Sequence, residues 1–183
     1  MFCSLSRVWF FLIRPEICHA FIYYKFIIII NVAGLVNAKT VYQALVEKKL
    51  YAFAGMISTL EQDDGLYTLL NDPQFKGTIF APTESAWKKI EATADDLGAL
   101  ADIIKYHIVP SEKVSTRKMK KLGKAVWDTS LLSHQIKTEV QKKAKRIIDE
   151  NDKFAKLVKK DMKANRGKAI IHIVDTALSP RLK

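Results

Sequence analysis

The sequence predicts an α/β fold of the α+β kind, with helices in the first half of the domain and strands in the second. Two observations indicate this order. Apolar residues between positions 41 and 60 recur at steps of three and four, as on one face of a helix, whereas short apolar runs separated by turn residues follow Lys113. With 183 residues, 49% hydrophobic and 27% charged, the chain fits one domain with a substantial core.

Elements before position 113 follow from periodicity and turn residues. Asp63-Asp64-Gly65 ends the first helix, and Asn71-Asp72-Pro73 is a strong stop signal. Thr83, directly after Pro82, is placed to cap a new helix. The predicted segments are helix Val41 to Leu60, a helical turn Leu66 to Leu70, strand Thr78 to Ala81, helix Ser85 to Ile90, and a helix from Leu97 that ends near His107.

Strand patterns dominate after Lys113. The predicted strands are Lys124 to Trp127, Gln135 to Val140, Lys145 to Ile148, Phe154 to Lys160 and Ala169 to Thr176. Helix competes with strand in one region. Gln141 to Ala164 is rich in Lys and Ala, and propensity alone predicts a basic helix there.

Three segments carry a family resemblance. They are TIFAPTESAW at Thr78 to Trp87, YHIVP at Tyr106 to Pro110, and AIIHIVDTALSP at Ala169 to Pro180. In this order and spacing they resemble the fasciclin domain, an extracellular adhesion module, over roughly Thr40 to Arg181. The resemblance implies a helical layer packed against two small β-sheets, and it implies hairpins rather than a helix between positions 141 and 164.

The resemblance also assigns motif residues with structural roles. These are Thr78, Phe80, Ala81, Pro82 and Thr83 in the first segment, and Asn165, Gly167, His172 and Asp175 at the end, where Asp161 also follows the family pattern. Arg166 separates the Asn from the Gly, and Lys168-Ala169 lengthen the turn, so we expect a bulged or longer hairpin. Alternation along the last strand puts apolar residues on both faces, which predicts a buried strand with His172 and Asp175 as internal hydrogen-bonding groups.

The first 38 residues differ from the rest. Phe26 to Ile30 is an unbroken apolar run, and Val36-Asn37-Ala38 has the form of a signal-peptidase site, so we expect cleavage after Ala38 and a single domain over 39–183. An uncleaved anchor from about Ala20 to Val36, or a start codon assigned too early, are the other interpretations. Cys3 and Cys18 both lie in this segment, so the mature domain would have no cysteine.

Charge is divided between the halves of the domain. Residues 39–112 carry 7 Lys+Arg against 11 Asp+Glu, a net of −4, whereas residues 113–183 carry 20 against 7, a net of +13. Such a basic half predicts binding to polyanions at low salt, although a merely solubilising surface would have the same composition. The short basic groups are Arg117-Lys118, Lys120-Lys121, Lys142-Lys143, Lys145-Arg146 and Lys159-Lys160. Within residues 113–183, only Trp127 and Phe154 could stack on bases, which argues against nucleic acid.

No catalytic pattern is present, so the sequence predicts a non-enzymatic protein without a metal or cofactor. His107, His134 and His172 are too far apart for a metal-ligand motif, and no nucleophile elbow or phosphate-binding glycine loop occurs. Tyr106-His107 corresponds to the Tyr-His motif of the family, which is linked to cell adhesion in some members. The pair is therefore a candidate for partner binding, with a purely structural role as the alternative.

The predicted function is adhesion or matrix association outside the cell, released or anchored at the outer face of a membrane, through an extracellular protein receptor or matrix component. Two alternatives stay open. One is a scaffold that binds acidic polysaccharide or anionic lipid through its basic half with no specific receptor. The other is a carrier of a small apolar ligand in a cleft between helices and sheet.

Overall fold

A computed structural model describes residues 39–60, 65–94, 96–141 and 144–181. The predicted signal peptide, cleavage site and anchor lie outside these residues, as do Lys142 and Lys143. Within the described ranges, no helix combines the length and the apolar character needed to cross a bilayer.

The chain begins with three helices, α1 (Val41–Glu47), α2 (Tyr51–Thr59) and α3 (Leu66–Asn71). Thr40 caps α1 in a capping box with Gln43. The single helix predicted from Val41 to Leu60 is wrong, because Lys49 adopts a positive φ of 62° and ends the first segment. Val46, one of the apolar residues between positions 41 and 60, is exposed.

Strand β1 (Gly77–Pro82) and helices α4 (Glu84–Glu91) and α5 (Leu97–Tyr106) follow, close to the predicted bounds. A short strand β2 (Ile108–Pro110), for which no bounds were predicted, comes next. Thr83 caps α4, since its hydroxyl accepts a hydrogen bond from Ala86 N at 3.4 Å. Asp96 caps α5 in the same way through Ala99 N at 2.7 Å.

Helix α6 (Thr116–Leu122) was not predicted. Ser115 caps it by accepting a hydrogen bond from Lys118 N at 3.2 Å. Met119 is the only residue of this helix that is buried, so the sequence offers no apolar period by which to recognise it.

Five strands complete the domain: β3 (Lys124–Asp128), β4 (Gln135–Gln141), β5 (Ala144–Ile148), β6 (Phe154–Ala164) and β7 (Ala169–Val174). The hairpin prediction for 141–164 is confirmed, and the competing basic helix is wrong. A 3₁₀ turn, Asn165–Gly167, joins β6 to β7 with positive φ at all three residues, which agrees with the predicted longer turn.

The seven strands of the described residues form one sheet in the order β2-β1-β7-β6-β5-β4-β3. The prediction of two small sheets is therefore wrong. Strand β6 is the reason, because it is 11 residues long and pairs with β5 over Phe154–Lys156 and with β7 over Leu157–Ala164. The sheet curls until it nearly closes, and Ser130 N, just after β3, donates to Ile108 O of β2 at 2.8 Å.

Two hydrophobic cores lie on opposite faces of β1 and β7. Ile79, Ala81, Ile171 and Ile173 pack with the helices α1 to α5 in the first core. Phe80 and Val174 face the second core, inside the curl of the sheet. That second core also contains Tyr106, Val109, Val114, Met119, Trp127, Ile136, Ile147, Ala155 and Leu178.

Candidate functional site

Tyr106 lies at the end of α5 and is fully buried. Its hydroxyl donates a hydrogen bond to Gln135 O at 2.9 Å and accepts one from Glu150 N at 3.1 Å. Burial raises the pKa of the phenol well above its ordinary value. Tyr106 therefore joins helix α5 to strand β4 and to the turn after β5.

His107 is also fully buried. Its Nδ1 lies 2.7 Å from Ile103 O, and its Nε2 accepts a hydrogen bond from Leu178 N at 3.0 Å. These partners require the neutral tautomer with the proton on Nδ1, and burial lowers the pKa of the ring to about 4. Neither side chain of the Tyr-His pair is accessible to a partner in this conformation, so partner binding through the pair stays a prediction.

Next to Tyr106, the turn after β5 contains a residue that the sequence did not single out, Glu150. The Glu150 carboxylate accepts hydrogen bonds from Gln135 N at 2.9 Å and Arg181 N at 3.1 Å, and it lies 2.8 Å from His134 Nδ1. Burial alone would raise the pKa of Glu150, but these hydrogen bonds outweigh it and hold the pKa below its usual range. The contact of Glu150 with Arg181 joins residues 31 positions apart, so it depends on the fold and no local pattern indicates it.

His172 and Thr78 hold the segment that leads into α6. Thr78 Oγ1 donates to Glu112 O at 2.6 Å and accepts from Val114 N at 2.8 Å, while His172 Nε2 lies 2.8 Å from Val114 O. Burial lowers the pKa of His172, and Phe80 stacks on its ring at 5.5 Å. These motif residues fix position 114 against the centre of the sheet.

The remaining motif residues join β7 to its neighbours. Asn165 is buried, and its Nδ2 donates to Asp72 O and Phe75 O, both at 3.0 Å. Asp175 is exposed rather than internal, but its carboxylate accepts a hydrogen bond from Lys156 N at 2.8 Å. Ala81 and Pro82 of β1 pair with Ile173 and Val174, Thr83 N donates to Val174 O at 2.9 Å, and Gly167 adopts a φ of 82° in the turn.

Helix α6 crosses from β6 to β4 and brings basic segments together. At its start, Thr116 N donates to Asp161 Oδ1 at 2.8 Å, and the Thr116 hydroxyl donates to the other carboxylate oxygen. At its end, Gly123 O accepts from Val140 N at 2.8 Å, and Val140 is the strand partner of Lys145. The last turn of α6 therefore lies beside Lys145, and its first turn lies beside Asp161.

Lys120, Lys145 and Lys160 are close enough for their charges to interact. Burial lowers the pKa of Lys145, the positive charges of Lys160 and Lys120 lower it further, and Asp161 opposes them. Burial would raise the pKa of Asp161, but its hydrogen bonds from Thr116 and the charges of His172 and Lys145 hold the pKa below its usual range. One carboxylate, with both oxygens already engaged by Thr116, thus lies among three lysines.

The outer face of strands β3 to β6 carries a second basic area. Cross-strand pairing aligns Lys124, Glu139, Arg146 and Lys156 in one row. Lys124 and Glu139 form an ion pair at 2.8 Å, and the Arg146 guanidinium lies 4.9 Å from the Phe154 ring centre. Of the other predicted basic residues, Lys121 and Lys159 are exposed.

Comparison with models of protein families matches residues 51–180 to the family described as Fasciclin domain. The chain belongs to the fasciclin domain family. Its fold is also similar to the FAS1 domain pair from the insect cell adhesion molecule fasciclin I, with a TM-score of 0.55 and 21% sequence identity over 79% of this chain. The chain spans about half of that structure, 51% of its length. No curated protein sequence matches it.

Fasciclin domains occur in extracellular and cell-surface proteins, where they take part in adhesion and are typically not enzymes. In this fasciclin domain, the described residues contain no group of three or more His, Cys, Asp or Glu side chains that could hold a metal ion. An open groove of about 200 Å³ lies between α4 and the chain end. Its lining combines Lys89, Lys153, Asp175 and hydroxyl groups with apolar side chains such as Ile90.

Proposed function

We propose that this fasciclin domain is an adhesion or matrix-association module that acts outside the cell, either secreted or tethered through its N-terminal segment. Its partner is a protein receptor or an acidic glycan of the matrix, bound through the basic half. The observation that carries this proposal is the separation of charge. Residues 39–112, with a net charge of −4, form the helical layer together with β1 and β2. Residues 113–183, with a net charge of +13, form α6 and the rest of the sheet.

The same charge supports one alternative, a scaffold that binds acidic polysaccharide or anionic lipid with no specific receptor. The two differ in their response to salt, because binding by charge alone falls steeply with ionic strength and a shape-specific protein contact falls less. The apolar-carrier alternative has less support, because the helices and the sheet pack against each other through the apolar side chains of the first core.

The test combines location with binding. We expect native protein recovered from the culture medium to begin at Lys39, and the full chain to bind immobilised extracellular matrix at 50 mM salt more strongly than at 500 mM. An intact leader in the cytosolic fraction, together with no matrix binding at any salt concentration, would contradict the proposal. Binding that is insensitive to salt would exclude the charge-only scaffold and favour a protein receptor.

Charge-matched variants locate the binding surface. Replacing Lys137, Lys153, Lys156 and Lys163 of the basic half by Gln removes four exposed charges, and the matched control replaces Lys48, Lys49, Lys88 and Lys89 of the helical layer. We expect the basic-half variant to bind matrix about three- to tenfold more weakly at low salt and the control to bind as the wild type does. Equal losses in both would mean that net charge, and not the basic surface, controls binding.

A further inference from the structure

We infer that Lys120, Lys145 and Lys160 form a defined site for a sulfate ester group of an acidic polysaccharide, at the place where α6 passes from β6 to β4. This inference rests on the proposed extracellular function and names the ligand and the residues. The three side chains come from three elements that are far apart in sequence. Their convergence is therefore a product of the fold and not of a basic run.

The first step of the argument is geometric. The Thr116–Asp161 hydrogen bonds attach the start of α6 to the bulge of β6 that follows Lys160, and the 2.8 Å bond from Val140 N to Gly123 O attaches its end to the strand partner of Lys145. Lys145 shares a strand face with buried Ile147, which directs it toward α6 rather than toward the outer face. The helix is thus held at both ends, so the backbone positions from which the three lysines extend are fixed relative to one another.

The second step concerns partners. Lys118 and Lys124 form ion pairs with Glu112 and Glu139. By contrast, none of the three converging lysines is paired with a carboxylate within the described part of the chain. Asp161, the nearest carboxylate whose charge reaches Lys145, has both oxygens occupied by Thr116. Three positive charges around one carboxylate leave an excess of positive charge, which attracts a further anion.

The third step selects the kind of anion. The planar fork of an arginine binds a carboxylate or a phosphate through two parallel hydrogen bonds, whereas an ammonium group acts as a point charge without a fixed plane. Three separate ammonium groups around one position suit a tetrahedral group with several oxygens, such as a sulfate ester. The site has no aromatic side chain among its three members to stack a base, which disfavours a nucleic acid.

The experiment measures binding of the full chain to heparin, which carries sulfate esters, and to hyaluronan, which carries only carboxylates. The site variant is Lys120→Gln/Lys145→Gln/Lys160→Gln, and its charge-matched control is Lys137→Gln/Lys153→Gln/Lys156→Gln. We expect the site variant to bind heparin at least about tenfold more weakly, the control only about two- to threefold more weakly, and hyaluronan binding to be weak throughout. The variant with Arg at all three site positions should keep heparin binding, because it keeps the charge. The urea midpoint of the Gln variant should equal that of the wild type, which excludes a loss of folding.

Each outcome separates this inference from the proposed function. Equal losses in the site and control variants, or equal binding of heparin and hyaluronan, would overturn the site. So would stronger binding to vesicles of phosphatidylserine and phosphatidylcholine than to heparin, because the ligand would then be a lipid surface. If the wild type binds matrix but not heparin, the site fails and the proposed function stands. If it binds heparin through the three lysines but is found only in the cytosol, the site stands and the proposed function fails.

Discussion

His107 shows how strongly a buried position controls the chemistry of one side chain. In the folded state both ring nitrogens are used, one by Ile103 O and the other by Leu178 N, and a second proton would have to displace the bond to Leu178 N. The pKa of about 4 lies below the value of about 6.5 expected in the unfolded chain. Between these values the unfolded state binds more protons, so the free energy of unfolding rises with pH.

We predict that His107 accounts for a loss of about 2 kcal/mol in the free energy of unfolding between pH 7.5 and pH 5. Urea denaturation of the wild type and of His107→Gln at both pH values measures this loss. The variant should be less stable at pH 7.5, where its hydrogen bonds are poorer, and the gap between the two proteins should shrink at pH 5. The pKa of buried His172 is lowered in the same direction, but it contributes to both proteins alike. A gap that stays constant across this range would contradict the prediction.

For single residues, the sequence showed which side chains matter, but it did not show which groups those side chains contact. The family motifs pointed to His107, His172 and Asn165, but their partners Leu178, Val114 and Phe75 lie far away along the chain. Asp175 was expected inside and is exposed, because β7 ends at Val174. Contacts of this kind depend on how the strands are ordered in the sheet, and no local pattern carries that information.

Among the elements, β1 is tightly constrained, because it pairs with β2 on one side and β7 on the other and is buried along its whole length. Gly77 begins it, opposite Pro110. A Cβ atom on Gly77 would lie 2.6 Å from Val109 O and 2.9 Å from Phe75 Cζ. The backbone oxygen cannot move without separating β2 from the sheet.

We predict that Gly77→Ala lowers the free energy of unfolding by about 2 kcal/mol or more, through overpacking at this strand edge. The matched control is Gly55→Ala in α2, where nothing lies within 4 Å of the new methyl group. Because Gly disfavours a helix interior, that control should be unchanged or more stable by up to about 1 kcal/mol. Urea denaturation of both variants measures the two changes in the free energy of unfolding. A Gly77→Ala protein as stable as the control would contradict the prediction and show that β2 is free to move.

Two elements show where sequence patterns succeed and fail. For residues 141–164, propensity alone favours a helix, but Ile147, Ala155 and Ala164 are buried in the two cores, and this burial outweighs propensity. Helix α6 was missed because it is short and buries only Met119, although Ser115 is a recognisable cap. The three-lysine site depends on that missed helix, so it could not be predicted either, even though its basic groups were noted individually.

For the molecule as a whole, β1 and β7 contribute to both cores with alternate side chains, Ile79 and Phe80 being one such pair. The long β6 pairs with strands on both sides and joins the parts that the sequence suggested as separate sheets. Loss of either core would leave these shared strands with one apolar face in water. The helical layer and the curled sheet are therefore expected to unfold together.

We predict coincident unfolding of the two cores, and the chain provides one tryptophan probe in each. Trp87 lies in the first core against Phe53, with ring centres 5.0 Å apart, and Trp127 lies in the second, where its Nε1 donates to Thr138 Oγ1 at 2.9 Å. The double variants Trp9→Phe/Trp127→Phe and Trp9→Phe/Trp87→Phe each keep one probe. In each variant, the urea midpoint from tryptophan fluorescence should equal that from far-ultraviolet circular dichroism, as for a two-state domain. A separation of about 0.5 M urea or more between the two signals would mean that one core melts first and that the shared strands do not couple the cores.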